Sequence, residues 1–398
     1  VVFNHMMWSA DKFLGRHYFF PDMDTPWGPR PNFAVPEVRK YIIASVEFCI
    51  RGLGFDGVRV DSTKTIRKWP DGSDDPAGAS LLKELTRLCR RHGKIAIAED
   101  LEDGDGFLQY GGLGFHFQWD MALFCWAYDA LVSPWDEARD FQSVKRGLQG
   151  LAPARSHPLR ARVIFMESHD TATSDRYGRV PAAVHNGRSF IPGGEGEQGG
   201  DAFQKAGNSL PYPEVAGVEE SAFAARRAAI GLVILMTAPG VPMLLQGQEL
   251  CDVRPFKWPR GPPIDWERAA ATEGSTARWR QLCRDLVKLR VAADGAAPKA
   301  KQGPLAGDGL HVYHSNGGIL AYLRWAENTD SREANISDPA LALVVINCTH
   351  EGFSSYELGV PPSSAWRLTA TSASVASEPP SPANRLQVLQ DKARDGFP

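Results

Sequence analysis

The sequence predicts an α/β fold: a parallel sheet packed against helices, followed by a small antiparallel β domain. Three observations predict it. Short β-rich runs alternate with amphipathic helical stretches over about the first 290 residues, the pattern of repeated strand–helix units. The strands are nearly continuous apolar runs, as expected where both sheet faces are covered. After residue 300 short strands follow one another between turns, with no convincing helix, which reads as a separate antiparallel β domain.

Each element has its own reason. Pro36-Glu37-Val38 opens a helix, with Pro in the first turn where its missing N–H costs nothing. Val38, Ile42, Val46, Cys49 and Leu53 recur at helical spacing, and Gly52 and Gly54 stop the run. Phe55 to Asp61 reads as a strand, Leu81 to His92 as a helix ended by Gly93, and Ile95 to Ala98 as a second strand. Phe115 to Trp119 is a weaker strand, and Val163 to Met166 and Val241 to Leu245 are stronger ones. His311 to Tyr313, Ile319 to Leu323, Leu341 to Ile346 and Trp366 to Leu368 are the strands of the C-terminal region. Gly187 to Gly207 reads as a surface loop, and the Ser-, Pro- and Ala-rich end is expected to be poorly ordered.

Composition narrows the function. The chain has 398 residues, 43% hydrophobic and 23% charged, with net charge −3. That suffices for a substantial core, and gives no general electrostatic reason to bind nucleic acid or an anionic membrane. No stretch approaches the ~20 apolar residues of a membrane span; the most apolar run, Ile230 to Leu245, is broken by Pro239, Gly240 and Pro242. Six cysteines without short repeated spacing read as free thiols rather than a zinc site or disulfide framework. No metal or cofactor is implied.

In parallel α/β folds reactive groups gather at the carboxyl ends of the strands. Here Asp61, Glu99-Asp100, His169-Asp170 and Gln248-Glu249 occupy such ends. Carboxylates on three strand ends suit glycoside cleavage, in which one carboxylate attacks the anomeric carbon and a protonated carboxyl serves the leaving oxygen. Arg59 lies two residues before Asp61, on the same strand face, and is expected to aim it. Glu99 has no basic neighbour upstream until Lys94. A carboxyl without a cation is expected to hold its proton to higher pH, as an acid requires. Asp100 and Glu249 read as loop-fixing acids, and Trp8, Trp27 and Trp119 as packing residues before sugar platforms. For any single acid, a solvated or helix-capping role is an equal alternative.

Together these residues resemble the α-amylase superfamily, glycoside hydrolase family 13. Phe55-Asp56-Gly57-Val58-Arg59-Val60-Asp61 resembles its segment with the nucleophilic Asp, and Ile97-Ala98-Glu99-Asp100 the one with the acid/base Glu. Glu167-Ser168-His169-Asp170 resembles the segment whose Asp grips sugar hydroxyls and stabilises the transition state. Val1 to His5 resembles the first shared segment, and Gly240 to Glu249 the last. The resemblance implies a (β/α)8 TIM-type barrel over residues 1–295, truncated at its N-terminus, a C-terminal antiparallel β-sandwich domain over 300–372, and a tail over 373–398. It implies catalytic roles for Asp61, Glu99 and Asp170, and sugar contacts from His5, Arg59, Lys64 and His169. At Lys64 a solvated side chain is an even alternative. At Asn4, which resembles a calcium-binding position of some amylases, a structural hydrogen bond is favoured.

A narrower resemblance, to glucan branching enzymes, lies in Trp27 to Phe33, in Gly112 to Asp120, in Glu167 to Asp170 and in Pro263-Ile264-Asp265-Trp266. It implies retaining transfer on an α-1,4-glucan polysaccharide or oligosaccharide, with the glucan as partner, in the cytoplasm or a plastid. Two alternatives stay open: an α-amylase-like hydrolase, and a glucan-binding or interaction protein without activity. Thr171 stands where many branching enzymes carry Glu or Gln, and the Asp that usually opens the first shared segment would fall just before Val1.

Overall fold

The computed structural model describes residues 1–6, 14–100, 108, 112–133, 135–136, 139–150, 159–173, 177–185, 221–256, 261–291, 303–326, 341–353, 355–360, 368 and 370–375. The chain divides into two compact units, Val1–Asp120 with Ala152–Val163, and Met121–Leu151 with Ile164–Pro398.

The first unit opens with a hairpin of β1 (Phe19–Thr25) and β2 (Gly28–Pro31). The helix Pro36–Arg51 leads to β3 (Gly57–Val60), and the helix Pro76–Arg91 leads to β4 (Ile95–Ala98). β5 (Phe117–Asp120) follows, and β3–β4 and β4–β5 pair in parallel. Val1 extends this sheet: Asp61 N donates to Val1 O at 3.0 Å, and Val1 N donates to Arg59 O at 2.5 Å.

Burial along β3 and β4 alternates. Val58, Val60, Ala96 and Ala98 are buried against the helices, whereas Arg59 and Ile97, on the other face, are half-buried. The expectation of continuous burial therefore fails for these two strands, while β6 (Arg162–Phe165) is buried throughout. The helix Pro36–Arg51 buries Val38, Ile42, Val46 and Ile50. Strict i+4 steps carry the buried stripe to Ile50, so Cys49 is half-buried and Leu53 exposed.

Arg30 ties the hairpin to the helix layer. Its guanidinium pairs with Asp75 at 2.8 Å and lies over the ring of Trp69 at 4.6 Å. Asp75 in turn caps the helix Pro76–Arg91, accepting from the N–H groups of Ala77 and Gly78. A Cβ on Gly78 would fall 1.8 Å from Ile66 O, so this first turn needs glycine to lie against its neighbour's backbone. β5 closes on Arg162, which pairs with Asp120 at 3.0 Å, both fully buried.

The second unit packs helices Ala122–Val132, Phe141–Gln149, Val180–His185, Ala222–Thr237 and Gly274–Val291, with β7 (Val241–Met243). Ser221 caps the helix Ala222–Thr237 by accepting from Ala224 N. The same unit holds an antiparallel sheet ordered β10 (Leu341–Asn347), β9 (Ile319–Trp325), β8 (Gly309–Asn316). Arg324 on β9 is fully buried and donates to Thr237 O at 2.6 Å and Gly309 O at 2.7 Å. From the helix Gly274–Val291, Arg290 donates to Met236 O at 2.8 Å and Ala238 O at 2.9 Å. Two arginines thus satisfy carbonyls at the end of the helix Ala222–Thr237 that have no partner within it.

Leu368 is not in a strand and Ser372–Val375 forms a 3-10 turn with Val375 buried. Trp366-Arg367, Gly187 to Gly207, Trp8 and residues 376–398 lie outside the described residues. All six cysteines are free thiols. No described helix is long and apolar enough to cross a membrane.

Candidate active site

The parallel register builds the first half of the site. Val60 pairs with Ala98 and Arg59 with Ile97, so one step beyond, Asp61 stands beside Glu99. Parity puts Arg59, Asp61 and Glu99 on one sheet face. Two backbone bonds hold the strand ends together, Glu99 N to Val60 O at 3.0 Å and Thr63 N to Glu99 O at 2.9 Å.

Arg59 serves both acids. One terminal nitrogen donates to Asp61 Oδ1, and the other lies 2.9 Å from Glu99 Oε2. Glu99 therefore has a cationic partner, and the argument for a partnerless acid is overturned. The partner comes across the sheet, where spacing along the chain does not show it. Glu99 Oε2 also accepts from Ser62 N at 2.8 Å. Ser62 sits at φ 41°, in the left-handed region, which turns its N–H toward the carboxylate. Such a conformation costs free energy at a non-glycine residue.

Around this pair the chain is fixed. Asp100 is buried and accepts from Arg67 at 2.8 and 3.1 Å and from Thr63 Oγ1 at 2.8 Å, the loop-fixing role expected of it. Trp119 is buried with its ring 4.0 Å from the Arg59 guanidinium carbon. His5 is half-buried near Trp27, with its Nδ1 3.1 Å from Asn4 Oδ1. Lys64 is exposed on the short helix Thr63–Arg67 after Asp61. Sequence reasoning weighed Trp119 against sugar stacking and missed its contact with Arg59. Its place at the strand end after Gly112 to Gln118 was the available signal.

His169 and Asp170 lie in the second unit, after β6. His169 Nε2 is 3.3 Å from Asp170 Oδ2, and both side chains are about 40% exposed. Their turn is held by Ser168, whose Oγ accepts from Asp170 N at 3.2 Å and Thr171 N at 3.1 Å. Behind it Glu167 is buried and pairs with Arg179 at 2.8 Å. Arg179 also donates to Gln246 O and Arg254 O, and Glu167 accepts from Val180 N. This buried pair was not anticipated. Beside it a cavity of about 10 Å³, lined by Glu167, Gln248, Cys251, Asp252 and Trp279, has room for about one water and none for a sugar. Among the described residues no cluster of three or more His, Cys, Asp or Glu is arranged to hold a metal.

Burial lowers the proton affinity of His5, opposed by the nearby Asp61 charge, and burial with the Arg90 charge lowers that of His116. The unfolded chain takes up these protons near the ordinary histidine value of about 6.5, before the folded chain does. Stability is therefore complete above that value and is lost as pH falls through it. The urea midpoint is expected to drop between pH 8 and pH 5.5, and to drop less in the double variant His5→Asn/His116→Asn. A midpoint constant over that range would contradict this.

Comparison with known proteins agrees with the geometry. The chain matches no family model. It is 24% identical over 363 residues to the 1,4-alpha-glucan branching enzyme GlgB of Pseudomonas fluorescens, covering 84% of this chain and 40% of that protein. To GlgB of Rhodospirillum rubrum it is 24% identical over 387 residues, covering 91% and 43%. Its fold is similar to that of an alpha-amylase from Anoxybacillus, with TM-score 0.53, 16% identity and coverage of 88% and 64%. The chain is thus similar in sequence to branching enzymes and in fold to an alpha-amylase. It spans about two fifths of the length of these two curated relatives.

Proposed function

We propose that the chain carries out retaining glycosyl transfer on α-1,4-glucan, in the manner of a 1,4-α-glucan branching enzyme. The observation that carries this reading is the single guanidinium shared by Asp61 and Glu99 at neighbouring strand ends. Retaining chemistry calls for two carboxyl groups ~5–5.5 Å apart, and a shared guanidinium favours such a pairing. A (β/α)8 barrel over residues 1–295 and a β-sandwich domain over 300–372 belong to the same reading.

Asp61 attacks the anomeric carbon as the glycosidic C–O bond breaks, and Glu99 gives its proton to the departing 4-oxygen. Before this step the Asp61 charge favours a proton on Glu99. Once Asp61 is an ester that charge is gone, and Arg59 is left to the Glu99 carboxylate. Glu99 then takes the proton of an incoming glucan 6-hydroxyl, whose oxygen displaces Asp61 from the anomeric carbon. Asp170 binds sugar hydroxyls and steadies the positive charge of the transition state. His5, Arg59, Lys64 and His169 are the substrate contacts.

Incubation of the chain with amylose, followed by proton NMR for α-1,6 linkages and an assay of reducing ends, tests the proposal. New α-1,6 linkages with few new reducing ends are expected. Reducing ends alone would make it a hydrolase. Unchanged amylose that still binds would leave a glucan-binding protein and overturn the catalytic reading.

A further inference from the structure

Trp119 lies on β5 two residues after Phe117, and three adjacent strands explain where it stands. Ile97 pairs with Phe117 and Ala98 with Gln118, so Trp119 comes beside Glu99, on the face that also carries Arg59 and Asp61. Its neighbour Gln118 points the other way and donates to Asp100 O at 2.9 Å, which holds β5 to the end of β4. The indole is buried and its face meets the Arg59 guanidinium at 4.0 Å. A planar cation on an aromatic face keeps its in-plane N–H groups free for carboxylates while that face is shielded from water.

Resting on the reading of Asp61 and Glu99 as the reacting pair, we propose that Trp119 is a positioning residue acting through Arg59. It holds the guanidinium in the one orientation in which separate nitrogens reach Asp61 and Glu99. A stem as flexible as that of arginine has many rotamers, and the indole face excludes those that tilt the plane away from the two acids. Among the described residues the charged and titratable groups at these strand ends include Arg59, which contacts both Asp61 and Glu99, the amino group of Val1 and His5 near Asp61, and Asp100 paired with Arg67. Trp119 touches Arg59.

The test uses the full chain with Trp119→Met, which refills most of the volume without an aromatic face, and Trp119→Tyr, which restores one. Two readouts are taken: the pH dependence of kcat and KM on amylose, and the titration of Glu99 followed by carboxyl carbon NMR. In Trp119→Met, kcat is expected to fall about 10-fold with KM within about 2-fold. The alkaline limb and the Glu99 midpoint should both rise by about 0.5–1 pH unit, as a loosened cation releases the carboxylate. Trp119→Tyr should recover kcat to within about 3-fold and restore the midpoint. A folded Trp119→Met with the native Glu99 titration overturns the proposal, as does a Tyr variant no better than Met. The NMR titration needs no turnover, so it decides the role of Trp119 separately. Retained activity in Asp61→Asn and Glu99→Gln would instead overturn the assignment of the reacting pair.

Discussion

Asp61→Asn is expected to lower glucan turnover by at least ~10³-fold and to abolish the covalent glycosyl-enzyme, with the fold retained. The amide is nearly isosteric and can still accept from Arg59, but it is a poor nucleophile. Glu99→Gln should behave differently. It removes the proton donor but leaves Asp61 in place, so substrates with good leaving groups should still form the intermediate, which then accumulates for want of a base. Mass spectrometry of the intact protein after brief exposure to an activated glycoside separates the two: a glycosyl adduct in the Glu99 variant and none in the Asp61 variant. Adducts in both, or wild-type turnover in both, would remove these residues from the reaction.

The second large effect belongs to the buried pair behind the His169-Asp170 turn. Arg179→Met leaves the Glu167 carboxylate buried at 1% exposure without its cation, and breaking such a pair from one side costs about 3–5 kcal/mol. Glu167→Gln strands the other charge: the Arg179 guanidinium stays buried at 1% exposure without its carboxylate, and the single amide oxygen replaces only one of the two acceptors used by Arg179 and Val180, so a loss of about 3–5 kcal/mol is expected here too. Urea unfolding of both variants checks this by their midpoints. A loss below about 1 kcal/mol in both variants would mean that the pair does not hold this turn. The same experiment reports on the turn that presents Asp170, since Glu167 precedes it by three residues and Arg179 also holds the carbonyls of Gln246 and Arg254.

Much of this was legible in the chain. The strand Ile95–Ala98 lies where its apolar run lies, and Arg59 and Asp61 share a face because residues two apart in a strand must. The partner of Glu99 was not legible, because it is chosen by the register between β3 and β4, a property of two strands and not of either. The β1–β2 hairpin was missed for a different reason. Pro29 and Pro31 argue against a strand, yet Arg30 between them gains an ion pair with Asp75 and an aromatic surround that local propensity does not contain. In the C-terminal sheet, the apolar runs located β8 to β10. That Arg324 and Tyr322 face a helix end within the same compact unit is tertiary information.

That helix end also bears on how the chain is made. Thr237 precedes Arg324 by 87 residues, and Met236 precedes Arg290 by 54. During synthesis the helix Ala222–Thr237 leaves the ribosome with its last carbonyls satisfied only by water. The first arginine reaches them after some fifty more residues, and the second after more than thirty beyond that. At ~5–20 residues per second this is an interval of seconds, in which an apolar helix waits for partners encoded downstream. A nascent chain whose emerged part ends between residues 291 and 324 would present the helix with Arg290 available and Arg324 of β9 still missing. Protease digestion of nascent chains arrested so that Arg324 lies just inside or just outside the exit tunnel would show protection of the helix region increasing as that one residue emerges.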